Sequence, residues 1–422
     1  MRICLLSYRG NPYCGGQGVY LYYLSKALAE RGHRVTVITG PPYPLPISWA
    51  KVIQIPDQNF INKPGRAAIP LQNPLSVFKP LDLGELLLSR LGNNPEMLFF
   101  SLRAYRKIRA MIDGGEHFDI VHDNQSLGYG LLLIRRLGIP VVSTVHHPLQ
   151  VDRKQDLGQM PELFKRIKRA LYYPLFMQKF AAKRLDRIIT VSKTSKNLIS
   201  DWYGIEPERI DEIPNGVDLS FFRRLPEIEK IPGRIVFVGS SEDRKKGILY
   251  LLRGLKRLKE KNAHLVIVDG RLRPDRVYAK TLVQKMGLKS RVTFLEKISG
   301  EQLVLEYNKA EIAAVPSLFE GFGLPALEAM ACGSALVATR AGGLIEVVGE
   351  GRDAAGILVE PGDDRALADS ISRLLSDAAL RQKLGEKGRS RAEKGFGWDK
   401  VAEQVERVYI KATSKRRGDY GG

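Results

Sequence analysis

Glu320 and Glu328 stand eight residues apart in the segment Pro316-Ser-Leu-Phe-Glu-Gly-Phe-Gly-Leu-Pro-Ala-Leu-Glu-Ala-Met-Ala-Cys-Gly333. Ionised carboxylates are strong acceptors for hydroxyl groups, and this spacing lets the two address different parts of one extended ligand. Gly321 and Gly323 bend the chain after a strand ending near Val315, and Pro325 suits the first turn of a helix, where its missing N–H costs nothing. The free amides of that turn and the positive helix end favour a phosphate or diphosphate. A polyhydroxylated phosphate ester, such as a nucleotide sugar, meets both demands. The alternative is an ordinary strand-loop-helix carrying two solvated glutamates.

Two further segments point to anions. Cys14-Gly-Gly-Gln-Gly18 precedes a helical stretch from about Val19 to Arg31, but its spacing is not the G-x-G-x-x-G dinucleotide fingerprint. A tight structural turn would look the same. Ser241-Glu-Asp-Arg-Lys-Lys246 clusters three cations, which serve either a diphosphate or simple solvation of the surface. No D-x-D, helical histidine pair, serine-hydrolase elbow or cysteine-nucleophile motif occurs, so neither a metal nor a cofactor is called for. Cys4, Cys14 and Cys332 make no disulfide framework and fit a reducing cytoplasm. No apolar run reaches the ~18 residues of a spanning helix, and the first residues are too short an apolar stretch for a signal peptide.

These residues need elements to hold them. Arg2 to Ser7, Arg34 to Thr39, Ile120 to His122, Val141 to Val145 and Arg187 to Val191 read as strands with helices between, the α/β pattern of a parallel sheet. Prolines at 41, 42, 44, 46, 56, 64, 70, 74 and 80 interrupt it, which predicts a long loop-rich insertion. A second series follows: Arg234 to Val238, Leu265 to Asp269, Val292 to Leu295, Ile312 to Val315 and Ala335 to Thr339. Pro214-Asn-Gly-Val-Asp218 and the polar stretch to Gly233 divide the series. Trp398, Val401, Val405 and Tyr409 recur at helical spacing and predict a closing helix. Two Rossmann-like halves then face a cleft, with ligands outside the carboxyl ends of the strands.

The Glu320 to Glu328 segment resembles the E-x7-E motif of the retaining glycosyltransferases of family 4, which have the GT-B fold. Gly15-Gly16, Thr144-Val-His146, Pro214 to Asp218, Lys246-Gly247 and Ala341-Gly-Gly-Leu-Ile-Glu-Val-Val348 agree with it, so the resemblance spans nearly the whole chain. It implies an acceptor domain over 1–214, with 398–422 packing back on it, and a donor domain over 215–397. By the same resemblance Glu320 holds donor-sugar hydroxyls, the amides of Gly321, Phe322, Gly323 and Leu324 support sugar and phosphate, and Glu328 binds the ribose. His146 would face the transferred sugar, Gly15 and Gly16 would line the site, Lys246 would neutralise the diphosphate, and the backbone near Lys297 and Ile298 would hold the base. Many members carry Gly-Arg where this chain reads Gly239-Ser240, and Arg244 or Lys245 from the same loop is the candidate replacement.

The net charge is +20, and residues 151–200 and 251–300 supply +8 and +9 of it. Lys165, Arg166, Lys168 and Arg169 interleave with apolar residues over 164–173, as in a basic helix lying on an anionic membrane surface. A solvated face over ordinary core is the alternative. No nucleic-acid-binding motif accompanies the charge. The expected protein is a cytoplasmic, peripherally membrane-associated, retaining and metal-independent hexosyltransferase. It would use a UDP- or GDP-sugar and a glycan or glycolipid acceptor. The rivals are a nucleotide-sugar 2-epimerase of GT-B architecture and a non-catalytic basic binding protein.

Overall fold

Strands that are apolar along their whole length need cover on both faces, and a parallel sheet between two helical layers provides it. The computed structural model, which describes residues 1–11, 16–56, 79–90, 94–158, 172–270 and 277–419, contains two such sheets. Contacts divide the chain into one unit of Met1–Val191, Ser195–Ile213 and Ala402–Gly422, and another of Ser192–Thr194 and Pro214–Val401. The helix Trp398–Asp419 therefore begins in the second unit and ends in the first.

In the first unit the strands are β1 (Arg2–Ser7), β2 (Arg34–Thr39), β3 (Lys51–Gln54), β4 (Ile120–Asn124), β5 (Val141–Val145), β6 (Arg187–Thr190) and β7 (Ile210–Glu212). They lie in the order β3-β2-β1-β4-β5-β6-β7, all parallel. Every residue of β4 and β5 is buried. Leu6, Ile38, Val121 and Val141 meet Phe100, Ile108 and Leu131 from the covering helices in one core.

The second unit holds β8 (Ile231–Val238), β9 (His264–Asp269), β10 (Val292–Glu296), β11 (Ala310–Val315), β12 (Ala335–Thr339) and β13 (Ile357–Val359). Their order is β10-β9-β8-β11-β12-β13, again all parallel. Its core joins Phe237, Ile267 and Ile312 to Leu251, Leu255 and Ile371. In each sheet the strand order reverses once, between β1 and β4 and between β8 and β11. In open α/β sheets ligands bind outside the carboxyl ends of the strands at such a reversal.

Residues 57–78 and 91–93 of the expected loop-rich insertion lie outside the described residues, and its described part includes regular elements. Lys51–Gln54 forms an edge strand on β2, and Pro80–Arg90 is a helix fixed to the helix Glu96–Asp113 by the pairs Arg103–Asp82 and Arg103–Glu85, whose side chains are largely buried. Most of 164–173, the expected membrane-binding helix, lies outside the described residues. No helix among the described residues is long and apolar enough to cross a membrane.

Candidate functional site

The reversal between β8 and β11 places two loops side by side in the second unit. Leaving β8, the chain is pinned by Ser241, whose N and Oγ donate to Oδ2 of the buried Asp269 at 2.6 and 2.7 Å. Asp243 Oδ1 then accepts from Lys245 N at 3.0 Å and opens a single 3-10 turn, Arg244–Lys246. The loop after β11 is clipped onto that turn by Leu318 N donating to Lys245 O at 2.7 Å. This contact requires Gly247, because at its φ of 72° a β-carbon would sit 1.8 Å from Pro316 O.

Lys246 Nζ and Glu320 Oε1 meet at 2.7 Å across the two loops. Ser317 Oγ donates to the same oxygen at 2.9 Å, and no described residue bonds Oε2. Glu320 is only 9% exposed, while the Lys246 side chain keeps 29% of its surface. The carboxylate is thus fixed in place, whereas the ammonium can turn to an incoming anion. From behind, Gly343 N donates to Glu320 O at 2.9 Å, and Gly342 lets the chain pass where a β-carbon would be 2.1 Å from that oxygen.

Gly323, at φ 110°, caps the helix Leu324–Ala331, with Pro325 in its first turn. Phe322 is buried near Phe396, with ring centroids 6.0 Å apart, so only its backbone is open to a ligand role. Glu328 lies one turn inside, half-buried, with Oε2 accepting from Tyr307 OH at 3.0 Å. Loss of water around the carboxyl pushes its pKa up to about 7, against an ordinary 4.5, with the Tyr307 hydrogen bond opposing the rise. The folded chain therefore holds this proton more tightly than the unfolded chain does. Its stabilising contribution is complete below about 4.5 and is lost as pH rises through about 7. Thermal unfolding from pH 4.5 to 7.5 should show a downward stability component that Glu328→Gln removes; parallel profiles for the two proteins would contradict it.

Lys297 is exposed and one of three non-glycine residues with positive φ among the described residues, at 54°, a conformation that costs of order 1 kcal/mol. It is followed by Ile298 and by a capping box in which Ser299 and Gln302 bond each other's backbone N–H. Ser240, half-buried, accepts from Asp243 N through its carbonyl at 3.2 Å. Arg244 is exposed and stands over the Tyr278 ring, 4.9 Å from its centroid, while Glu242 caps the helix Tyr278–Lys285. The Arg244 guanidinium is held over Tyr278 and makes no hydrogen bond or ion pair with Lys246 or Glu320.

In the first unit, His146 follows β5, and its Nε2 lies 2.8 Å from Asn124 Oδ1 at the end of β4. Its backbone N donates to Gln125 Oε1 at 2.8 Å, and Tyr20 packs edge-on at 5.1 Å. Burial pushes the imidazole pKa down to about 3, so the ring is neutral. Gly16 opens the helix Gly16–Glu30, while Gly15 lies outside the described residues. Tyr20, Asn124, Tyr307, Ser317 and Asp269 escaped sequence reasoning. Only Ser317 had a local signal, its place three residues before Glu320. No group of three or more His, Cys, Asp or Glu side chains among the described residues could hold a metal ion.

Comparisons with known proteins cover both units. A family model described as Glycosyltransferase Family 4 matches residues 14–221, and one described as Glycosyl transferases group 1 matches 221–391. The chain is 39% identical to the MMP alpha-(1->4)-mannosyltransferase of Mycolicibacterium hassiacum, over 98% of this chain and 99% of that one. Sucrose-phosphate synthase from Thermosynechococcus elongatus superposes with a TM-score of 0.73 at 25% identity, covering 98% of this chain and 100% of that chain. Anabaena Alr3699/HepE, solved in complex with UDP-glucose, gives a TM-score of 0.67 at 19% identity, covering 97% and 99%. These neighbours share the GT-B fold of two parallel-stranded α/β sheets.

Proposed function

The chain belongs to glycosyltransferase family 4, and we propose that it is a retaining hexosyltransferase that moves a hexose from a UDP- or GDP-sugar to a hydroxyl of a glycan or glycolipid precursor. The observation that carries this reading is the Lys246–Glu320 pair at the β8/β11 reversal. A free nucleoside diphosphate needs a cation, and a sugar needs an acceptor for its hydroxyls. Here the two groups are adjacent, on loops that glycine packing holds together.

Lys246 turns to the diphosphate as the sugar engages the open oxygen of Glu320, and the amides of Gly321 to Leu324 complete the cradle. The positive end of the helix Leu324–Ala331 adds to the charge stabilisation of the leaving group. With Lys246, the loop amides and the helix end supplying positive charge to the leaving diphosphate, this reading calls for no divalent metal. Glu328 takes the ribose hydroxyls, the backbone around Lys297 and Ile298 takes the base, and His146 faces the transferred sugar. In the retaining path the departing diphosphate oxygen takes the acceptor proton while the new glycosidic bond forms on the same face. The mannosyltransferase relative and the UDP-glucose complex support a nucleotide-hexose donor.

Nucleoside diphosphate release, followed across UDP- and GDP-hexoses with and without EDTA, tests this reading. Acceptor-dependent release that survives EDTA supports it; accumulation of a 2-epimer, or no turnover with any donor and acceptor, overturns it. Lys246→Ala should weaken UDP or GDP binding about tenfold or more, the scale of one charge-assisted hydrogen bond. Arg244→Ala should weaken it less, since the Tyr278 stack sets that guanidinium apart from the pair. Unchanged nucleotide affinity in Arg244→Ala would remove it as the substitute for the arginine replaced by Ser240.

A further inference from the structure

The amide of Asn124 has only one orientation compatible with its neighbours. Its Nδ2 faces Gln17 O at 2.9 Å and Ser7 Oγ at 3.2 Å, and a carbonyl oxygen can only accept, so the NH2 group must point there. Its Oδ1 therefore faces His146 Nε2 at 2.8 Å, and since that oxygen also only accepts, Nε2 must carry the ring proton. Nδ1 is left with a lone pair, and no described residue bonds it.

We propose that Asn124 is a positioning residue that locks His146 in the Nε2–H tautomer, so that Nδ1 is presented as a hydrogen-bond acceptor and selects a hydroxyl over a carboxylate or phosphate oxygen. The device is rigid. Both Asn124 and His146 are buried, and the β4 end is anchored by the buried Asp123, which accepts from Ser126 Oγ, Leu127 N and Ser143 Oγ. Gln125 and Leu127 hold positive φ values of 60° and 47°, a local strain that this anchoring sustains. Gln125 adds a second clamp, accepting from His146 N and donating to His147 O at 2.9 Å. An acceptor nitrogen meets a hydroxyl favourably, whereas an anionic oxygen in its place would meet only lone-pair repulsion. The hexose at this point is therefore recognised through a hydroxyl and not through an acid group. This selectivity rests on the proposed reading that His146 faces the transferred sugar; the tautomer does not.

The full chain labelled with 15N-histidine tests the tautomer directly. It has six histidines, and the His146→Ala spectrum identifies the resonance that is lost. A long-range 1H–15N imidazole correlation is expected to show the proton on Nε2 of His146, with Nδ1 bare; a proton on Nδ1 overturns the proposal. In kinetics with the active UDP- or GDP-hexose, Asn124→Leu should lower kcat/KM roughly tenfold. It should add no further loss in the His146→Ala background. A full further loss there would show that Asn124 does not act through His146 and would overturn its role. Wild-type kinetics in His146→Ala would remove the sugar-facing reading and the selectivity with it, while the nitrogen spectrum would still decide the tautomer.

Discussion

Glu320→Gln is expected to lower transfer by roughly 10² to 10³-fold, the scale on which removal of one preorganised charge-stabilising group acts, while the protein stays folded. The side chain is 9% exposed and takes two hydrogen bonds on Oε1, from Lys246 and Ser317. Glutamine keeps an oxygen for Ser317 but replaces the open acceptor with an NH2 group, so sugar hydroxyls lose their partner. It also removes the internal counter-ion of Lys246. UDP or GDP alone should consequently bind Glu320→Gln at least as tightly as the wild type, even though turnover is lost. Initial rates and nucleotide titration separate these effects. Near-wild-type turnover would remove Glu320 from the donor site, and parallel loss of nucleotide affinity would contradict the exchange of Lys246 between carboxylate and diphosphate.

The second large effect is expected from Gly247→Ala. A β-carbon would stand 1.8 Å from Pro316 O, and the residue sits at a φ of 72° that alanine rarely adopts. The two penalties together should cost about 2 to 4 kcal/mol or force the loops apart. Separation of the loops breaks the Leu318 N to Lys245 O hydrogen bond and with it the approach of Lys246 to Glu320. The variant should unfold at a clearly lower temperature and also lose donor affinity. Gly270→Ala is the control, since no described residue lies within 4 Å of a β-carbon there and its φ is not in the left-handed region. Equal unfolding temperatures for the two variants would contradict the close approach.

Most of the ten strands legible in the sequence are buried on both faces, such as β1, β5 and β12, where burial selects an unbroken apolar run. The exception is β10, an edge strand that was legible although only partly buried. The three that escaped are the short strands β3, β7 and β13, at sheet edges. Each has only one neighbour, so Lys51 and Gln54 are tolerated in β3, and Asp211 and Glu212 in β7, and the apolar signature is diluted, whereas β13 is apolar but only three residues long. The same distinction runs through the site. The glycines around Glu320 were legible because the local chain needs them to turn from strand to helix, and Glu320 itself through its spacing to Glu328. Tyr307 beside Glu328, Asp269 beneath Ser241 and Asn124 beside His146 were not, because each pair is made by strands or helices that meet only after the sheets assemble. The departure at Ser240 was visible, but the stack of Arg244 on Tyr278 depends on where the helix Tyr278–Lys285 packs.

The most direct test of the central claim is proton NMR of one reaction containing an α-linked UDP- or GDP-hexose and a glycan or glycolipid acceptor. Lys246 and Glu320 standing together on fixed loops, in a family 4 chain, lead to the expectation that free UDP or GDP accumulates in step with an α-configured glycoside. A β-configured glycoside, or conversion of the donor to its 2-epimer with no new glycosidic bond, would contradict the account.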